Sequence, residues 1–264
     1  MASRLQGKWV LITGASSGIG AAAAREFGAL GCKLLLGARR LDRLEQVASD
    51  AIAAGAPRAL PHLLDVARSE SVTAYLGWVR AQTPVIDVLV NNAGGAHGLD
   101  PLAEARDIDW ETMLETNVLG LLRVTRGVLP LMPRDCGASV INIGSIAGRQ
   151  AYEGGSAYCG AKAAELQITR ALRLELNGTG IRVGTIDPGL TETEFSIVRF
   201  KGDVARAHKV YEGTHPLTAE DIAETIVWVA ARPPHVNIDE LLIMPVDQAA
   251  VHKTHRRTTK ASAR

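Results

Sequence analysis

Thr13-Gly14-Ala15-Ser16-Ser17-Gly18-Ile19-Gly20 separates the apolar run Trp9 to Thr13 from a helical pattern that begins at Ile19. Glycines between a strand and a helix let the chain turn tightly. They also let a pyrophosphate approach the helix N-terminus, where unpaired N–H groups and the helix dipole favour an anion. Elsewhere such a loop would be an ordinary turn. Its position at the first strand-to-helix junction makes Gly14, Ser16, Ser17, Gly18, Ile19 and Gly20 candidates for holding a dinucleotide.

Working outward, short apolar runs alternate with longer helical patterns. The runs are Trp9 to Thr13, Lys33 to Gly37, Leu60 to Val66, Val85 to Asn91, Ser139 to Ser145, Ile181 to Asp187 and Leu241 to Val246. Between them lie helical stretches around Ile19 to Leu30, Leu41 to Ala54, Ser69 to Gln82, Trp110 to Leu131, Ala157 to Asn177 and Ala219 to Ala231. Near-continuous apolar strands with helical crossovers predict an α/β, doubly wound Rossmann fold, a seven-stranded, mainly parallel sheet with helices on both faces. Residues 1–251 are expected to form a single catalytic domain. The long mixed segment 191–216 follows a strand's carboxyl end, where such sheets bind ligands, and reads as a substrate lid.

The second strand ends Gly37-Ala38-Arg39-Arg40, with no acid in the turn before Asp42. An acidic residue there would hold the ribose hydroxyls of NAD, whereas arginine accommodates the extra phosphate of NADP. Arg39 and Arg40 therefore predict NADP. Asp65, after Leu63-Leu64 at the end of the third run, could accept a hydrogen bond from an adenine amino group. Asn91-Asn92-Ala93-Gly94 follows the fourth strand, and its amides would serve either a ligand or the local turn. Asn117, in an apolar helical stretch, requires buried partners and reads as a structural satisfier or part of a proton relay.

Tyr158 and Lys162 stand i and i+4 on a helix that begins just after Gly154 and Gly155. That spacing brings phenol and ammonium onto one face, where the ammonium favours the phenolate form. Ser145 ends the run Val140 to Gly144 and would present its hydroxyl at a strand's carboxyl end. A hydrogen-bond donor, a proton-exchanging phenol and a cation suit carbonyl reduction. Alone, Tyr-x-x-x-Lys also occurs on solvated helix faces, and its weight comes from this company.

Composition removes several other classes. The formal net charge is +1, but residues 252–264 contain Lys253, Arg256, Arg257, Lys260 and Arg264 without an acid. The rest of the chain is thus acidic, and nucleic-acid binding would need a basic face on the domain itself. The basic C-terminal tail reads as a frayed terminus. Cys32, Cys136 and Cys159 are odd in number, without metal-type spacing, which favours a reducing compartment over disulfides. With no apolar stretch long enough for a bilayer and no signal-peptide pattern, a cytoplasmic protein without membrane, metal or nucleic-acid partners is expected.

Thr13-Gly14-x-x-x-Gly18-x-Gly20, Asn91-Asn92-Ala93-Gly94, Asn117, Ser145, Tyr158-x-x-x-Lys162 and Pro188-Gly189, in this order, resemble the short-chain dehydrogenases/reductases. Within that family the chain looks most like the NADP-dependent 3-hydroxy acid dehydrogenases, also called serine 3-dehydrogenase-like. This closer likeness rests on Thr193 to Asp203, His235-Val236-Asn237-Ile238 and Met244-Pro245-Val246-Asp247-Gln248. The resemblance implies that Tyr158 is the general acid in reduction and the base in oxidation, while Lys162 assists it and holds the nicotinamide ribose. It implies that Ser145 binds the substrate oxygen and that Asn117 positions a relay water. Pro188, Gly189, Thr191 and Phe195 would cover the nicotinamide and pyrophosphate, and Asp65 and Val66 would flank adenine, with Asn91, Ala93 and Gly94 completing the cofactor site. It further implies a homotetramer or dimer.

The implied reaction interconverts a small 3-hydroxy acid, of the serine, 3-hydroxypropionate or 3-hydroxyisobutyrate type, with its 3-oxo acid. A reductase of another small polar aldehyde, such as sulfoacetaldehyde, and a non-catalytic NADP(H) sensor are the alternatives. A carboxylate substrate needs a cation in the pocket, because an unpaired buried charge is costly. Arg149, Arg199 and Lys201 are the candidates, and Arg199 in the lid, able to grip a carboxylate with two bonds, is preferred.

Overall fold

The computed structural model describes residues 2–257. Its centre is a seven-stranded sheet formed by β1 (Trp9–Thr13), β2 (Lys33–Ala38), β3 (Arg58–Leu63), β4 (Val88–Asn91), β5 (Ser139–Ile143), β6 (Arg182–Pro188) and β7 (Glu240–Ile243). The order is β3-β2-β1-β4-β5-β6-β7, and every pairing is parallel. The order reverses between β1 and β4, the switch point at which such sheets bind ligands beyond their carboxyl ends.

The apolar runs become strands because helices cover both faces. On one face Val10, Ile12, Leu34 and Leu36 pack under helices Gly18–Ala29, Leu41–Ala54 and Ala219–Ala230. On the other, Leu11, Leu35, Leu89 and Val140 meet side chains of Ser69–Gln82, Leu121–Val128 and Ser156–Glu175. Alternate residues of one strand thus enter different cores, and the central strands β1, β2 and β4 are largely apolar.

The edges depart most from the expectation. β3 spans Arg58–Leu63 rather than Leu60 to Val66, with Pro61 tolerated at the sheet edge, and Leu64 and Val66 continue as a buried approach to the site. β7 stops at Ile243, before Pro245, and Val246 is fully exposed. The helix expected over Trp110 to Leu131 is an α-helix at Asp107–Met113, a π-helical turn at Leu114–Gly120, and a second α-helix at Leu121–Val128. Asn117 explains the break: its Nδ2 donates to the Met113 carbonyl at 2.8 Å, four residues back. A side chain placed in the ladder this way widens it.

The tail is a correction. Strands β8 (Gln248–Ala250) and β9 (Lys253–Thr254) form an antiparallel hairpin. The His255 N–H then donates to the Asp247 carbonyl at 2.7 Å, and Arg257 pairs with the Asp247 carboxylate at 3.0 Å. Residues 252–257 are therefore docked rather than frayed, because the carboxylate of Asp247, itself held by the His215 N–H, gives the basic segment a partner. Residues 258–264 lie outside the described residues. Among the described residues no helix is long and apolar enough to cross a membrane.

Candidate active site

The carboxyl ends of β1, β2, β4, β5 and β6 open onto one cavity of about 500 Å³, roofed by the segment after β6. The glycine-rich loop is fastened to the end of β4. Thr13 Oγ1 accepts from the Asn92 and Ala93 N–H groups at 3.0 Å, and Asn92 Nδ2 donates to the carbonyls of Thr13 (2.9 Å) and Gly14 (3.1 Å). Gly14 has φ +65°, and a Cβ there would stand 2.8 Å from the Ala93 Cα. A side chain at this position would separate the two loops that form the cavity floor.

Beside the loop, Arg40 donates to Ser17 Oγ at 2.6 Å and to Ser16 Oγ at 3.3 Å, while its NH1 pairs with Glu194 at 2.8 Å. Arg43 takes the other Glu194 oxygen at 2.6 Å. Arg39 lines the cavity without an ion pair among the described residues. A cluster of arginines and serine hydroxyls next to a helix N-terminus is the donor set that a phosphate monoester needs. Beyond β3, Asp65 and Val66 line the cavity, with one Asp65 oxygen already accepting from the Ala67 N–H at 3.1 Å.

The reactive end joins β5 to helix Ser156–Glu175. Ser145 caps the short turn after β5, its Oγ accepting from the Ala147 N–H at 3.1 Å, which leaves its own hydrogen to donate. Tyr158 and Lys162 project from the helix into the same cavity. Lys162 is buried, and its Nζ donates to the Ile143 carbonyl at 2.8 Å and to Glu165 at 2.7 Å. Burial works against the ammonium, yet the carboxylate of Glu165, with Tyr158 and Asp187, outweighs it and holds the Lys162 pKa above its ordinary value.

Gly18, Ile19, Ala93, Gly94, Pro188, Gly189, Thr191, Phe195 and Arg199 also line this cavity. Three anticipated residues do not. Asn91 is buried below the floor, with its Nδ2 bonded to Thr125 and Asn142 at 2.9 Å each. Gly20 packs against Asn92 behind the loop. Asn117 spends its side chain on the Gly95 N–H, the Gly95 carbonyl and the Met113 carbonyl, so it shapes the turn above Lys162.

The three cations considered for a substrate carboxylate separate clearly. Arg149 is neutralised by Asp187 at 2.5 Å and Glu240 at 2.7 Å. Lys201 pairs with Asp109 at 2.8 Å. Arg199 has no carboxylate partner among the described residues. It lies against the rings of Tyr158 and Phe195, 5.1 Å from each centroid, donates to the Tyr152 hydroxyl, and keeps a buried Nε without a hydrogen-bond partner.

Sequence reasoning missed Tyr152, Glu165 and Glu194. Glu165 stood in plain view, three residues after Lys162 on the same helix. Tyr152 and Glu194 carried no local signal, because only the tertiary approach of the segment after β6 gives them partners.

These features coincide with a match to the short chain dehydrogenase family model over residues 8–203. The chain belongs to the short-chain dehydrogenase family. Among curated proteins it is 44% identical to the NADP-dependent 3-hydroxy acid dehydrogenase of Schizosaccharomyces pombe, over 97% of this chain and 99% of that protein. It is also 42% identical to the serine 3-dehydrogenase of Agrobacterium fabrum, covering 91% of this chain and 94% of the relative. The solved closed form of serine dehydrogenase complexed with NADP+ superimposes with a TM-score of 0.86 at 41% identity, over 95% of this chain and all of that one.

Proposed function

We propose that this protein is an NADP-dependent dehydrogenase that interconverts a small 3-hydroxy acid and its 3-oxo acid. The observation that carries the substrate class is Arg199: half-buried, with its Nε unpartnered and no carboxylate partner among the described residues, it lines the cavity that Ser145 and Tyr158 also line. A substrate carboxylate paired there would carry its charge into the site at low desolvation cost. The relatives described above, named for 3-hydroxy acids and serine, support the same class.

The residues present fit the cofactor. The glycine-rich loop and the Gly18–Ala29 helix start would hold its pyrophosphate, Ser16, Arg39 and Arg40 its 2′-phosphate, Asp65 and Val66 its adenine, and Tyr158 and Lys162 its nicotinamide ribose. Pro188, Gly189, Thr191 and Phe195 would close over it. When bound, NADP supplies or accepts the hydride. In reduction Ser145 donates to the substrate oxygen, and Tyr158 delivers the proton from its hydroxyl to that oxygen. In oxidation Tyr158 takes the proton back, and the Lys162 ammonium stabilises the phenolate that remains. The lid excludes water around these groups. Intact acid–base residues speak against a non-catalytic NADP(H) sensor. A sulfoacetaldehyde reductase remains the alternative, since an enzyme of that name, from Chromohalobacter salexigens, is 43% identical over 91% of this chain.

The reading includes a cytoplasmic homotetramer or dimer. Ile108, Leu114, Leu119 and Leu122 are exposed along the Asp107–Val128 segment, as an interface on that helix would require. Sedimentation giving only monomer would contradict it. The decisive test is a panel of 3-hydroxy acids, sulfoacetaldehyde and neutral ketones with NADP(H) and NAD(H), followed by nicotinamide absorbance. Turnover of serine or 3-hydroxypropionate with NADP+ is expected, and a preference for neutral ketones would refute it.

A further inference from the structure

Glu165 is buried beside the catalytic lysine, and the acid–base chemistry described above does not yet use it. Both side chains are nearly inaccessible, 8% for Lys162 and 3% for Glu165, and they meet at 2.7 Å one helical turn apart. The Glu165 main-chain carbonyl is taken by Thr169 Oγ1 at 2.8 Å, which fixes the turn that carries the carboxylate. A carboxylate in such a place has lost its hydration and is costly unless it is paired.

The surroundings of Lys162 make Glu165 its principal counter-charge. From its own helix come Tyr158 and Glu165. From β5 comes the neutral Ile143 carbonyl at 2.8 Å. From β6 comes Asp187, whose charge is already shared by Arg149 at 2.5 Å and the Thr185 hydroxyl at 2.7 Å. From the turn after β4 comes Gly94, where a Cβ would lie 3.7 Å from the ammonium and 2.5 Å from Asn117 Oδ1, and neither Gly94 nor Asn117 carries a charge. No other cation pairs with Glu165 among the described residues.

We propose that Glu165 is a positioning residue that keeps the buried Lys162 side chain protonated and anchored below Tyr158 through the working pH range, and so sets the alkaline limit of the reaction. Two of the three Nζ hydrogens are spent on Ile143 and Glu165, which leaves one for the ribose or phenolate side of the cavity. Without the carboxylate, burial alone would act on the ammonium and favour loss of its proton. The phenolate form of Tyr158 would then lose its cation as pH rises. The inference rests on the acid–base assignment of Tyr158 and Lys162.

The test is a titration of the Lys162 Nζ signal by NMR with NADP+ bound, assigned by its loss in Lys162→Met, together with the pH profile of alcohol oxidation for wild type, Glu165→Gln and Glu165→Asp. In wild type, Lys162 should stay protonated beyond the ordinary lysine value of about 10.4. In Glu165→Gln the titration and the alkaline limb should both move down by about one pH unit or more, with the acid limb little changed and Glu165→Asp in between. A wild-type Lys162 that titrates below the ordinary value overturns the proposal, even if the glutamine variant does not fold. So does an unchanged titration, or an equal loss of turnover at every pH. The NMR titration does not depend on turnover, so failure of the Tyr158 assignment would appear separately, as undiminished activity of Tyr158→Phe.

Discussion

Arg40, just past β2, and Glu194, in the segment after β6, form a 2.8 Å ion pair across the mouth of the cofactor cavity. The same guanidinium holds Ser17 at 2.6 Å and Ser16 at 3.3 Å, so one side chain ties that segment to the glycine-rich loop. Arg39, beside it, lines the cavity and lacks an ion pair among the described residues. The adjacent arginines of one turn thus differ in which contacts they have left to give a ligand. Arg39→Ala should weaken NADPH binding while leaving NADH nearly unchanged, by up to about 3 kcal/mol for a lost charge-assisted contact. Arg40→Ala should weaken both cofactors, because it also removes the ion pair that holds the segment around Glu194. Calorimetric titration of each variant with both cofactors checks this, and equal losses for both cofactors in Arg39→Ala would contradict it.

Tyr158→Phe keeps the ring that packs against Phe195, 5.6 Å between centroids, and removes the transferable proton. Turnover should fall on the order of a hundredfold or more, within the range for general acid–base catalysis. Cofactor affinity should change little. Steady-state rates across pH, with binding measured on the same preparation, separate chemistry from folding.

The fold was legible wherever local pattern and tertiary burial agree. Helices Leu41–Ala54 and Ser69–Gln82 coincide with their sequence periods, and β1 with its apolar run. Ser145, Tyr158 and Lys162 were legible too, since a strand end and one helix face suffice to bring them together. The tail was misread because charge density resembles solvation until a buried Asp247 is known to receive it. Arg149 looked as available as Arg199 for the same reason, since Asp187 and Glu240 lie far away in sequence. Asn91 and Asn117 sit in recognisable motifs, but which way an amide faces is decided by Thr125, Asn142 and Gly95.

The contact between Asp109 and the segment after β6 should respond to acid. The Asp109 pKa is held at about 2 by hydrogen bonds from Arg106 and from Lys201 in that segment. A carboxyl with a depressed folded-state pKa contributes stability above its ordinary value near 3.8, and that contribution is lost as pH falls toward 2. Asp109→Asn should therefore lower the thermal midpoint relative to wild type at neutral pH. The gap should close as pH is lowered through that window, and a gap independent of pH would count against the pairing.

The cysteines should react in a fixed order. Cys32 is buried, donates to the Leu5 carbonyl at 3.3 Å, and is pushed up to about 12 by burial and by Asp87. Cys159 packs in the small core with Tyr158 and Met113, and Cys136 is exposed. A thiolate is the reactive form. A thiol reagent added to native protein should therefore modify Cys136 rapidly and the other two only on unfolding. Mass analysis of the labelled peptides checks this, and early labelling of Cys32 would mean that the turn before β2 and its contact with Leu5 open readily.

Arg199 is where substrate charge should be read. Half-buried, its guanidinium lies against the rings of Tyr152, Tyr158 and Phe195, with Nε unpartnered, and its main-chain carbonyl accepts from the Gly98 N–H at 2.9 Å. The backbone contact anchors the helix Phe195–Arg199 whatever the side chain, so Arg199→Leu should keep that helix in place while removing the cation. A bidentate carboxylate contact is worth roughly 2–3 kcal/mol, so KM for serine or 3-hydroxypropionate should rise about thirtyfold or more. KM for an uncharged analogue of similar size should change little, because its binding never used the charge. Kinetics on the charged and neutral pair decide the matter: a parallel rise in both would assign Arg199 to lid packing rather than to the substrate.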